Sequence, residues 1–562
     1  MKTFILIILT CIITYVTYAQ NSTGNFVGTT TVPYTQNGVT SMKTVTTPAV
    51  NSNFHGNSMQ PIFSYPHPDS VNSAIRWQYT DPVAIGEYCA ESGNGLRSVA
   101  GWYLNNERTS EYGNANFGPL WQYSFPTQTP LYFNYVAVSD TGTTATGFYN
   151  NIYIFDGTGT PFFNFDLTTL SDPGSAGPLG ITSNGKFLVA SSQRNGTTDT
   201  SSVFGFSSDS THWVWRFKVP AGAAGGSTPQ GVRISGNDSL VIVNSYSAFY
   251  VLRTYTGQLV FQGLINPISN NGTQSPQGIS GNGNVVATIN YNGNLRVYQW
   301  NGSTYSFVWQ HTEPPGTYYN WMSAVDVSYD GSMVACGTLN FITSSTYDGK
   351  VKLFRTTNGS TPIWTYSGCG DEVSAVSFSK NGRILSASSW GNYYNPTVLN
   401  LLIFKTSRTD SIPWFAANSS GSFFWCSTSN DGTTVFGSGK AVHARSFGSG
   451  GIAYNIFVDT AENPTGIQNL NNTIPKSYSL LQNYPNPFNP STQINYNIPV
   501  RSNVKLTVYD IMGREVQTLV NSMQEPGKYT VVFNADNLAS GMYFYKIEAG
   551  SFTETKKMTL IK

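Results

Sequence analysis

Through the middle of the chain, apolar residues fall in short runs of β type, alternating or continuous, and each run is broken by a tight-turn signal. This is a pattern of strands and not of helices. The turn signal recurs at Gly95 (SGNG), Gly142 (SDTG), Gly185 (TSNG), Asp238 (SGND), Gly283 (SGNG), Gly331 (SYDG), Gly382 (SKNG) and Gly432 (SNDG), at intervals of 43 to 53 residues. A second signal, an aromatic among polar and apolar neighbours, keeps phase with it at Trp77, Trp121, Phe163, Trp215, Phe261, Trp309, Trp364 and Trp414. Two markers in one phase over eight copies define a repeat.

Within a unit the pattern predicts four short strands. The clearest copy runs from residues 324–328 through a turn at Asp330-Gly331 to 333–337, then 350–354, a turn at Asn358-Gly359, and 362–366. Such turns supply the positive φ angles that hairpins need. A repeated four-stranded meander of about 48 residues reads as a β-propeller blade. Residues 75–459 accommodate eight blades, with seven as the alternative because the first unit is degenerate. The segment at 75–79 is positioned to close the ring by pairing with the last blade, which removes an exposed edge. The unit "VSYDGSMVACGT…YDGKVKLFRTTNGSTPIWTYSG" resembles WD-repeat and quinoprotein-like blades, a resemblance of fold alone. The Trp-Asp dipeptide, the adjacent cysteine pair of quinone-dependent dehydrogenases and the sialidase aspartate box are all missing.

The two ends read as targeting signals. A positive start at Lys2, an apolar run over 4–16 and small residues at Thr17 and Ala19 predict cleavage by signal peptidase between Ala19 and Gln20 after Sec export. A lipobox at Ile8-Leu9-Thr10-Cys11 is the rival, disfavoured by the size of Thr10 and by the apolar run continuing past it. At the other end, residues 477–562 are short alternating runs between Gly and Pro turns, the pattern of a small Ig-like antiparallel sandwich. Here Pro485-Asn486-Pro487, Gly513-Arg514, Gly527-Lys528-Tyr529, Gly541-Met542-Tyr543, Lys556-Lys557 and Lys562 follow in order. The segment resembles the type A C-terminal sorting domain of the type IX secretion system. That resemblance implies passage from the periplasm through an outer-membrane translocon, removal of the domain by a surface sortase, and a protein that is secreted or attached to the outer cell surface. Residues 20–74 read as a Thr-, Asn- and Pro-rich arm and 460–476 as a linker.

Composition narrows the function. Charged residues make up 10% of the 562-residue chain, against about 25% in ordinary soluble proteins. After the N-terminus no apolar run reaches the roughly 18 residues of a spanning helix. The net charge of +1 hides no basic cluster, so nucleic acid is a poor partner. Beyond the leader, Cys89, Cys336, Cys369 and Cys426 are an even set in an oxidising compartment, with disulfides and buried free thiols both open.

No metal or cofactor is expected. His55, His67, His212, His311 and His443 are scattered, and there is no HExxH, GxSxG or phosphate-cradling loop. What remains are aromatics in the longer connections, which a propeller gathers on one face. Tyr318, Tyr319, Asn320 and Trp321 lie between units, and Trp390, Asn392, Tyr393 and Tyr394 within the seventh. Flat rings stack on sugars or anchor proteins, although the same residues also pack beneath their own loops. Asp371 and Glu372 occupy a comparable loop, as an acid/base pair or as solvated carboxylates. The reading is an all-β propeller followed by an Ig-like sandwich that binds an extracellular glycan or protein. A polysaccharide hydrolase or lyase with axial carboxylates, and a structural surface protein, are the alternatives.

Overall fold

A computed structural model describes residues 73–460 and 477–561 except 105–106, 115–117, 126–132, 194–200, 211, 221–228, 246, 266–275, 315–319, 344, 358, 420, 447, 484–485, 501, 525–526 and 536–537, together with the backbone of 4–7, 15–20, 26–36, 39–47 and 62–64. The expectations placed on Tyr318, Tyr319, Pro485 and Lys562 lie outside the described residues, as do the side chains of Ala19 and Gln20.

Eight antiparallel sheets follow one another, over residues 85–124, 134–166, 175–218, 231–264, 278–312, 321–367, 373–418 and 422–457. The first strand of each packs on the first strand of the next. Ile85–Glu91 meets Asn134–Val138, and the series continues to Ser422–Thr428, which returns to Ile85–Glu91. The sheets therefore form a closed ring of propeller type around an axis lined by their first strands. The eighth sheet takes its fourth strand from the start of the ring: Ala74–Asp81 pairs antiparallel with Gly451–Phe457. Upstream, Ile62–Ser64 adds a fifth strand to the seventh sheet by pairing with Phe415–Asn418.

The two sequence markers have distinct physical roles. In each tight turn the leading Ser or Thr hydroxyl bonds the side chain two residues on, as in Ser92–Asn94 at 2.8 Å, Ser328–Asp330 at 2.7 Å and Ser429–Asp431 at 2.7 Å. The same oxygen accepts a backbone N–H further along, from Arg97 at 2.9 Å, Met333 at 2.9 Å and Thr434 at 3.0 Å. A buried hydroxyl thus has both a donor and an acceptor partner, as burial requires. The aromatics of the outer strands cross to the next sheet. Trp121 packs on Phe155 with ring centroids 5.0 Å apart, Phe163 on Phe206 at 5.4 Å, Trp309 on Phe354 at 5.4 Å, Trp364 on Phe404 at 5.0 Å, and Trp77 on Tyr112 at 5.1 Å. Three of the indoles also donate across the boundary, Trp77 to the Gly113 carbonyl at 3.0 Å, Trp215 to Thr254 at 2.9 Å and Trp309 to Thr356 at 2.9 Å.

The described residues of 477–561 belong to a separate compact unit. Ser479–Leu480, Ser491–Ile498 and Gly527–Asn534 form one sheet, and Glu515–Gln524, Ser502–Tyr509, Gly541–Ala549 and Phe552–Leu560 the other. One core joins them, built from Tyr496, Val508, Phe533, Tyr545 and Met558 among others.

Cys89, Cys336, Cys369 and Cys426 are buried free thiols. Burial pushes the Cys426 thiol up to about 11 and Cys336 up to about 12, so both stay protonated and unreactive near neutral pH.

Trp77 sits on the closing strand and is 3% exposed. Trp77→Ala is expected to destabilise the ring by about 3–5 kcal/mol, measured as a shift in the urea unfolding midpoint. A loss below about 1 kcal/mol would show that closure does not depend on this ring.

Candidate functional site

The long connections of the sixth, seventh and eighth sheets converge on one cluster. Asp371 lies between the sixth and seventh sheets, Trp390, Tyr393 and Tyr394 follow the second strand of the seventh, and His443 and Arg445 follow the second strand of the eighth. Tyr347 joins them from the sixth. At the centre Arg445 grips Asp371 with two parallel hydrogen bonds, Nε to Oδ2 at 2.7 Å and Nη2 to Oδ1 at 2.9 Å. This is the bidentate geometry that makes Arg–carboxylate pairs strong. The guanidinium is layered between rings, 3.9 Å from the Tyr347 centroid and 5.2 Å from that of Trp390.

From this buried pair an aromatic ladder climbs to the surface. The His443 ring meets Tyr393 edge-on at 5.4 Å, and Tyr393 meets Tyr394 edge-on at 5.0 Å. Tyr394 is 61% exposed. Asn392 shapes the loop that presents it, its side-chain carbonyl accepting from the Tyr394 N–H at 2.9 Å and the Asn395 N–H at 3.0 Å.

Several sequence expectations are corrected here. Trp321 is buried against Tyr291 and Phe341, at 5.0 and 5.2 Å, because it opens the first strand of the sixth sheet and does not lie in a loop. Trp390 is buried between Arg445 and Phe424. Asn320 is a loop clip, donating to the Pro314 carbonyl at 2.7 Å and accepting from the Phe341 N–H at 3.1 Å. Asp371 and Glu372 are buried and not solvated, and Asp371 is committed to Arg445. Sequence reasoning did not single out Arg445 or Tyr347; the signal available was "AVHARS", in the connection that follows Gly432 of the eighth unit as Trp390 to Tyr394 follow Gly382 of the seventh.

A second buried carboxylate, Glu313, anchors the border of the fifth and sixth sheets. Burial alone would raise its pKa, but hydrogen bonds from His311, Lys352 and Asn340 hold it well below the usual carboxylate range. Asn340 Nδ2 lies 2.9 Å from its Oε1 and Lys350 Nζ 3.3 Å.

Along the axis, the first strands bring Tyr88 within 4.7 Å of Tyr135 and 5.1 Å of Trp425, centroid to centroid. Arg233 reaches across from the fourth sheet to pair with Asp326 of the sixth. Asp326 also accepts from the backbone of Val327 at 2.9 Å and Phe378 at 2.8 Å. Among the described residues no group of three or more His, Cys, Asp or Glu side chains could hold a metal ion.

In the terminal unit, the sorting-motif residues hold the last strand in place. Asn486 Oδ1 accepts from the Thr559 N–H at 3.0 Å, and the next residue, Phe488 after Pro487, exchanges backbone hydrogen bonds with Thr559 and Ile561 at 3.0 Å. Tyr543 donates to the Ala539 carbonyl at 2.8 Å, Gly513 turns at a φ of 73° and Gly527 begins a strand. Lys557 is exposed, and Lys556 pairs with Glu554 at 3.1 Å.

Residues 482–562 match the family model of the secretion system C-terminal sorting domain, so the tail is a type IX sorting domain. No curated protein matches the chain. Among solved structures, the Swd1 β-propeller domain of Myceliophteria thermophila is 10% identical with a TM-score of 0.41, covering 56% of this chain and 96% of that one. The ring architecture stands on the strand pairings and not on that likeness.

Burial lowers the His443 pKa to about 4, from about 6.5 in the unfolded chain. The unfolded chain then binds the extra proton between these values, so stability rises with pH through this window and its His443 share is complete above 6.5. The expected loss on acidifying from pH 6.5 to 4 is on the order of 3 kcal/mol. Denaturation midpoints of His443→Gln should show a flatter profile over that window; an unchanged slope would assign the acid sensitivity elsewhere.

Proposed function

We propose that this chain is an eight-bladed propeller carried to the cell surface or beyond by a terminal Ig-like sorting domain, and that it binds an extracellular glycan or protein through the long-connection face of sheets six to eight. The observation that carries the reading is the Tyr394–Tyr393–His443 ladder standing on a locked Arg445–Asp371 pair. A rigidly mounted exposed ring with low entropy cost is the kind of anchor that sugar faces and protein partners use. The locked pair favours a binding role over polysaccharide cleavage, since a carboxylate committed to two guanidinium hydrogen bonds is poorly placed to move a proton. The eight consecutive sheets support the blade count, and the two-sheet terminal unit with one core supports the sandwich.

The sorting tail supports a route by the type IX translocon. Sec export, signal peptidase cleavage at Ala19-Gln20, transit through the periplasm and processing by a sortase complete the proposed path. Residues 20–74 remain in this reading an N-terminal arm and 460–476 a linker.

Two experiments check these proposals. A chain ending at residue 459 is expected to fold and remain in the periplasm; its appearance in the medium or on the surface at wild-type level would refute the route. On a glycan and surface-protein array, Tyr394→Ala is expected to weaken binding about fivefold or more. Equal binding by wild type and variant would move the contact away from this face.

A further inference from the structure

The axis also opens on the opposite face, where the eight tight turns crowd together. The residue after each leading Ser or Thr varies from turn to turn, and these residues interlock around the axis. Asn430 Nδ2 donates to Asp140 Oδ2 at 2.9 Å, bridging from the eighth turn to the second. The bridge passes over Gly93 of the first turn, where a Cβ would stand 1.8 Å from Asp140 Oδ1. Tyr329 of the sixth turn lies flat over Gly281 and Gly236, where a Cβ would come within 1.9 and 2.6 Å of its ring. Lys380 of the seventh turn caps the Tyr329 ring, with Nζ 5.0 Å from its centroid.

The fourth turn is the exception. Seven turns place glycine at the position of positive φ, but the fourth places Asp238 there with φ of 60°. A non-glycine residue is uncommon in that region, and Asp is among the few side chains that enter it readily. The Asp238 carboxylate faces the third turn, accepting the Ser183 N–H at 3.0 and 3.1 Å and the Ser183 hydroxyl.

Asp140, Asp238, Ser183, Lys380 and Arg233 all line one cavity of about 250 Å³ at this mouth. A second cavity of about 240 Å³ lies next to it and shares Arg233 and Asp326, so their ion pair forms the floor of the outer chamber. Arg233 uses Nη1 for Asp326 and the Val325 carbonyl, and its Nε and Nη2 have no acceptor among the described residues. Donors and acceptors therefore both line a small open chamber. A metal cation meets Arg233 and Lys380 there, and a simple anion meets Asp140 and Asp238. The charged groups are already partly satisfied, Asp140 by Asn430, Asp238 by Ser183 and Arg233 by Asp326. What each retains is spare hydrogen-bonding capacity, which hydroxyls match because each hydroxyl both donates and accepts.

We infer that this axial chamber is a binding site for a neutral polyhydroxyl ligand of one sugar ring, with Asp238 and Asp140 accepting from hydroxyls and Arg233 donating to them. It lies at the end of the ring opposite the Tyr394 ladder and does not depend on that reading. The test uses the full-length mature protein and calorimetric titration with glucose, galactose, mannose and N-acetylglucosamine, with glycine and aspartate as zwitterionic controls. At least one monosaccharide is expected to bind. Asp238→Gly, which restores the residue of the other seven turns, is expected to weaken that binding about tenfold or more with an unchanged or higher melting temperature. Asp140→Asn is expected to weaken it likewise. The inference is overturned if no monosaccharide binds, if only the amino acids bind, or if neither Asp238→Gly nor Asp140→Asn changes the affinity.

Discussion

The ring depends on one repeated contact, an aromatic of an outer strand laid on an aromatic of the following sheet. Trp121 on Phe155, Trp309 on Phe354, Trp364 on Phe404 and Trp77 on Tyr112 are copies of it. A single four-stranded sheet cannot bury both of its faces; a neighbour on each side does so, and the large rings fill the wedge that widens away from the axis. Inner strands covered on two faces, such as Val285–Ile289, are buried along their whole length. Such strands hold few charged residues, in keeping with a chain that is only 10% charged.

What the sequence made legible was whatever the repeat dictates locally. The turn motif and the aromatic marker located the strands, and the closing strand expected at 75–79 spans Ala74–Asp81. What stayed illegible depends on partners far along the chain. Asp371 looks like an exposed loop carboxylate until Arg445, 74 residues later, folds over it. Trp321 follows Tyr318, Tyr319 and Asn320 and reads as part of a loop, yet it pairs with Leu339 as the first residue of a strand. The second residues of the tight turns, which are Gly, Asp, Ser, Tyr, Lys and Asn, share no chemistry. Only the closed ring brings them to one axis.

The ring and the tail solve the burial problem separately. Each has its own hydrophobic core, and the tail's rests on residues from Leu480 to Leu560 alone. Within the tail, the last strand is held by backbone bonds to Phe488 and by the Asn486 side chain, so the motif residues at the start of the domain are structural supports for its end.

The pairing of Ala74–Asp81 with Gly451–Phe457 has a consequence for the order of events in the life of the chain. A chain that emerges N-terminus first exposes one half of this pair more than 370 residues before the other. Until then the first and last sheets lack a neighbour on one side, and the early strands wait as an open arc whose long-range closure is slow to form. The second half of the pair is delivered just before the sorting tail begins. Completion of the cargo and appearance of its address thus fall almost together, so a chain cut short before residue 451 has neither a sealed ring nor a passport to the surface.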